Sequence, residues 1–121
     1  MADLSSELAK YGIDYEDAME RVGGSADFYE QLAMKYLKDT HYVDLVAAME
    51  VKDFEAGYAA AHALKGVSGN LSLNDLYKAS AAVSDALFQG EYQAAEQLMP
   101  QVTATHQKAV EGLEKWQNGE L

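Results

Sequence analysis

The chain of 121 residues has no cysteine. Disulfides and thiolate metal sites are therefore excluded, which suits a reducing compartment. Its one proline, Pro100, leaves the rest of the chain free to form uninterrupted helices. Cations are scarce: 9 Lys and Arg stand against 20 Asp and Glu, for a net charge of −11. Gripping nucleic acid takes clustered Lys and Arg, so a nucleic-acid partner is not expected, nor is an anionic membrane surface. The acidic excess reads as a means of keeping a small domain in solution. No apolar run approaches the ~18 residues of a membrane span. The N-terminal MADLSSELAK has no apolar signal core behind basic residues. The expected address is the cytoplasm. Strand alternation, internal repeats and low-complexity segments are missing too. The length fits one domain over residues 1–121, large enough to bury about two-thirds of its unfolded surface.

What is present is helical periodicity. Leu4, Leu8 and Tyr11 give a short amphipathic start ended by Gly12. Asp14 reads as an N-cap with Asp17 three residues on, and Gly23-Gly24 stops the helix that carries Ala18, Met19 and Val22. Ser25 caps the next, where Phe28, Leu32 and Tyr36 repeat at four-residue spacing. The pattern slips at Lys38–Thr40 and resumes at Tyr42, Leu45, Val46 and Met49, giving one bent helix or two pieces in line. Asp53 opens a helix to about Asn70. Ser72 and Asp75 form a capping-box pattern ahead of a helix carrying Leu73, Leu76, Tyr77, Ser80, Val83, Leu87 and Phe88, closed by Gly90. The last helix runs from Tyr92 to Trp116 and should kink or split near Met99 because of Pro100. Short connections between long helices predict an all-α fold, an up-and-down antiparallel four-helix bundle with additional short N-terminal helices.

The stretch Ala59–Leu73, AAAHALKGVSGNLSL, does not reduce to packing. Glycine costs a helix interior roughly 0.5–1 kcal/mol relative to alanine, and this helix holds both Gly66 and Gly69. At about 100° per residue, Phe54, Tyr58, Ala61, Leu64, Ser68 and Leu71 share one stripe, the core face. His62, Lys65, Gly66 and Gly69 fall together roughly 90–110° away, with Ala59 near them. An imidazole ringed by residues with little side chain, with an ammonium one turn away, admits the backbone of another protein. Gly66 reads as clearance for that partner or as a close helix–helix contact, and Gly69 as part of the same surface or as helix termination.

HALKGVSGNL resembles the signature of histidine-containing phosphotransfer (HPt) domains, His-x-x-Lys-Gly on the second long helix of a helical bundle. The resemblance spans roughly Asp14 to Trp116. It implies that His62 is a phosphoacceptor, taking a phosphoryl group from an aspartyl phosphate of a receiver domain and passing it on. It further implies that Lys65 stabilises the phosphoryl charge, and that Gly66, Gly69 and Ala59 belong to the docking surface. An ordinary imidazole is largely unprotonated near neutral pH and so nucleophilic. Partners would be response-regulator receiver domains or a hybrid sensor histidine kinase. Mg²⁺ would sit on the receiver, with no cofactor bound by this chain. The chain would be a monomeric carrier in a two-component phosphorelay rather than an enzyme with its own turnover. Ser72 stands where many members have glycine and Ser84 where many have glutamate, so hydrogen bonds around the site need not follow the family pattern. The alternative is a helical adaptor that binds a signalling partner without being phosphorylated.

His41 and His106 carry no motif and are expected at bundle surfaces or boundaries. No His-x-x-x-His or Glu-x-x-His pair points to a metal, and no nucleophile elbow points to hydrolysis.

Overall fold

A computed structural model describes residues 3–121, which form seven α-helices and one 3-10 turn, with no strand among them. The helices are α1 (Leu4–Ala9), α2 (Tyr15–Arg21), α3 (Ala26–Met34), α4 (His41–Glu50), α5 (Phe54–Asn70), α6 (Asn74–Phe88) and α7 (Tyr92–Gln117). Helices α4 to α7 pack in sequence as an up-and-down bundle. Side chains close α7 back onto α4: the Tyr42 hydroxyl donates to Thr103 Oγ1 at 2.9 Å, and Lys52 pairs with Glu96 at 3.0 Å. None of the described helices is long and apolar enough to cross a membrane.

Local chemistry sets the helix starts. Asp14, Ser25 and Asp53 each accept a backbone N–H three residues on, as their sequence contexts predict. The three bundle turns end their helices alike. Lys52, Ser72 and Gly90 take left-handed φ values of 57°, 57° and 76°. The following N–H of Asp53, Leu73 and Glu91 then reaches back to Ala48, Ser68 and Ala86 at 2.9, 2.9 and 2.8 Å. This is the Schellman closure, in which a left-handed residue lets the next N–H satisfy an orphan carbonyl. The expected capping box is therefore wrong. Ser72 is the left-handed residue of the turn, and Leu73 occupies the N-cap of α6 with no side-chain bond.

The core consists mainly of leucine, alanine and valine, including Leu45, Ala61, Leu64, Leu76, Val83, Val102 and Leu113. Three buried hydroxyls are satisfied within their own helices: Ser68, Ser80 and Thr105 donate to the carbonyls of Leu64, Leu76 and Gln101 at 2.7–2.8 Å. Two sequence expectations are corrected, in α3 and α6, and the alternatives left open at the α3–α4 junction and at Pro100 are narrowed. A 3-10 turn at Lys35–Lys38 and extended Asp39 separate α3 from α4, so they are two pieces rather than one bent helix. In α3 the buried face is Tyr29 and Ala33, while Phe28 is half exposed, because Tyr29 donates its hydroxyl to the Leu71 carbonyl at 2.6 Å and fixes the register. Tyr77 and Phe88 lie on the surface of α6 rather than in the core. Helix α7 is not split at Pro100: the proline is on the exposed side, where the Glu96 carbonyl that loses its partner can turn to water. The N-terminal helices lie on the bundle. Buried Gly112 of α7 lets Tyr11 approach so closely that an added Cβ would stand 2.6 Å from the Tyr11 Cβ. Trp116 packs against Tyr15 and Tyr29, with ring centroids 6.3 and 5.9 Å apart.

Candidate functional site

His62 lies near the middle of α5 and is exposed, while Ala61 and Leu64 on the same helix are fully buried. The wheel reading of an off-core imidazole holds. Ala59 is exposed and Lys65 half-buried beside it. At Gly66 an added Cβ would meet nothing within 4 Å, so Gly66 is not a helix–helix contact. Gly69 differs. A Cβ there would fall 2.9 Å from the Tyr77 ring, so this glycine admits the ring of α6 rather than ending α5.

The other two histidines are committed elsewhere. His106 stacks on Tyr42 at 3.9 Å between centroids and shares a 2.7 Å hydrogen bond between Nδ1 and the Tyr36 hydroxyl. Burial pushes its pKa below the usual histidine value, with Asp39 pulling weakly the other way. His41 Nδ1 sits 2.9 Å from Asp39. Among the described residues His62 has no hydrogen-bond partner.

A groove of about 480 Å³ opens beside the His62 ring. Its near wall is α5, with Lys65 and Gly66; α6 contributes Lys78, and α2 contributes Asp17 and Arg21. On the other side stands an aromatic shelf. Tyr58 lies one turn before His62 with its ring centroid 5.8 Å away, Phe88 meets Tyr58 at 5.8 Å, and Phe54 stacks on Tyr92 at 4.2 Å. Ser84 is buried at 3 % exposure and does not line the groove. Ser72 is buried as well; its hydroxyl donates to Asp17 Oδ2 at 2.8 Å. Sequence reasoning placed Tyr58 in the core, although its four-residue spacing from His62 marks it as a ring neighbour. It missed Arg21, Lys78 and Phe88, which no local spacing connects to His62.

An imidazole free of hydrogen-bond partners, on a rigid helix beside an uncluttered groove with cations on its walls, is suited to receiving an anionic group. A family model for the Hpt domain matches residues 38–116, well over half of the chain. The chain belongs to the Hpt domain family. Its role is therefore histidine phosphotransfer in a phosphorelay, as a phosphoryl carrier rather than a catalyst with independent turnover. Its partners are phosphorelay components. Neither a curated protein nor a solved structure matches the chain. The matched segment takes in α4 to α7, with His62 and Lys65, and begins after α1 to α3, a shorter span than the resemblance from Asp14 onward suggested. Among the described residues, no three His, Asp or Glu side chains converge as a metal site.

Proposed function

We propose that His62 is the phosphoacceptor of this Hpt domain. A ring nitrogen attacks the phosphorus of a receiver's aspartyl phosphate, the N–P bond forms, and the P–O bond to the aspartyl carboxylate breaks. The proton on the other ring nitrogen passes to water, and the reverse step hands the group to a second receiver. Lys65, one turn on, offsets the phosphoryl charge. Gly66 and Ala59 keep the approach clear, and the Mg²⁺ that such transfer uses belongs to the receiver. Positioning and charge neutralisation are most of what phosphoryl transfer asks of a protein. The observation that supports this reading is that His62, alone among the three histidines, has no hydrogen-bond partner among the described residues and borders an open groove.

Incubation with a phosphorylated receiver tests it. Label should move onto the chain, map to His62, and be acid-labile but alkali-resistant, as a phosphoramidate is. His62→Gln should keep the fold, because the ring is exposed, and should accept no label. Labelling of that variant at His41 or His106 would refute the assignment. If wild type takes no label from any receiver, the adaptor reading is left standing.

A further inference from the structure

Helix α2 lies outside the segment matched to the family, yet it supplies the far wall of the groove beside His62. The turn between α5 and α6 grips it. The Asp14 N–H donates to the Ser72 carbonyl at 2.9 Å, and Asn74 Nδ2 donates to Asp14 Oδ2 at 3.2 Å. Asp17 Oδ2 accepts from Ser72 Oγ at 2.8 Å and from Arg21 Nε at 3.0 Å. These bonds, Ser72 first and Arg21 second, hold the Asp17 carboxyl below the usual carboxylate range and keep it charged. Arg21 is thereby oriented through one N–H, and its half-exposed guanidinium keeps its other donors for a ligand. Lys65 and Lys78 make no ion pair among the described residues. Three of the nine cations of a chain of net charge −11 thus surround one groove.

A phosphoryl group on His62 does not fill that space. Its three oxygens occupy roughly the volume of three waters, about 90 Å³ at ~30 Å³ each, against a groove of about 480 Å³. Lys65, on the same helix as His62, is the cation placed for that group. The cations of α2 and α6 face the remainder, where a docked partner's own side chains enter. We propose that Arg21, held by Ser72 and Asp17, determines docking specificity by receiving, together with Lys78, an acidic side chain of the receiver. An acidic partner face is otherwise repelled by this chain, and opposed local charge acts chiefly on association.

This rests on the His62 reading, so wild-type transfer to His62 is established first; its failure defeats that reading before any variant is compared. The receiver that transfers fastest to wild type is then used in single-turnover assays at varied concentration. Arg21→Gln should raise the half-saturating concentration about 5–20-fold with the maximal rate within about two-fold, and Ser72→Ala should raise it about 2–5-fold. Arg21→Lys should recover part of the loss. Raising NaCl from about 50 to about 500 mM should shrink the difference, because exposed charges are screened. With phosphoramidate, a donor without a protein surface, the loss should be at least about five-fold smaller than with the receiver. Equal losses with both donors would put Arg21 on the phosphoryl group and overturn the proposal. So would wild-type transfer by Arg21→Gln, or a salt-independent loss that follows a lowered melting temperature.

Discussion

Replacing Gly66 by glutamine should move stability and transfer in opposite directions. Gly66 lies inside a 17-residue helix, on the side where an added Cβ meets nothing within 4 Å. Glycine there costs about 1 kcal/mol relative to alanine, and glutamine is only a few tenths worse than alanine, so the gain is about 0.5–0.8 kcal/mol. At about 2.1 cal/mol/K per residue, a chain of this length gains roughly 4 °C per kcal/mol, so the melting temperature should rise by about 2–3 °C. The new side chain stands one turn from the His62 ring, where the proposed function brings in the receiver's backbone and phosphoryl group. Attack requires a nucleophile about 3–3.5 Å from phosphorus, and a displacement of ~1 Å can cost on the order of 100-fold. Thermal melting and receiver-to-His62 transfer, measured on one preparation, decide the matter. A lowered melting temperature with near-normal transfer from the folded fraction would refute the clearance reading of Gly66.

Lys65→Ala should shorten the lifetime of the phosphorylated form or slow transfer several-fold, since a half-exposed ion pair contributes only about 0–1 kcal/mol; a loss of many orders of magnitude would show that Lys65 does more than offset charge. Gly112→Ala should destabilise the fold by about 1–3 kcal/mol, because the methyl would collide with the Tyr11 Cβ, which cannot swing aside; an unchanged denaturation midpoint would count against the close packing of α1 on α7. His106 has a folded-state pKa depressed by burial, so its neutral form is favoured in the fold. The unfolded chain then binds more protons as pH falls below about 6.5, and stability should decline from there through the folded-state pKa. His106→Phe, which keeps a ring on Tyr42, should flatten that part of the stability–pH curve, and an unaltered slope would assign the loss to other groups.

The functional helix was legible because its information is local. His62, Lys65, Gly66 and Ala59 lie on one helix, and 3.6-residue geometry alone separates them from Ala61 and Leu64. The caps at Asp14, Ser25 and Asp53 were legible for the same reason. What was illegible depends on distant partners. Phe28 and Tyr29 are adjacent aromatics on a short helix, and only the bond from Tyr29 to the Leu71 carbonyl decides which is buried. Ser72 suits a cap by its chemistry, but the three matching turns require a left-handed residue there. The groove's far wall could not be read either, because Arg21 and Lys78 come to the groove of His62 only through the packing of α6 on α5 and the bonds that tie α2 to the turn between them.

The chain's single tryptophan, Trp116, lies far along α7 but in space packs against the N-terminal layer, on the rings of Tyr15 and Tyr29. Its emission is therefore an optical gauge of whether α2 and α3 are seated, while far-ultraviolet ellipticity is dominated by the four longer helices. Non-coincident transitions of the two signals would reveal a loosening of the layer that carries Arg21 while the helix carrying His62 stays folded. Intrinsic fluorescence can thus follow the α2 wall of the groove during an encounter with a partner, with no label attached near His62.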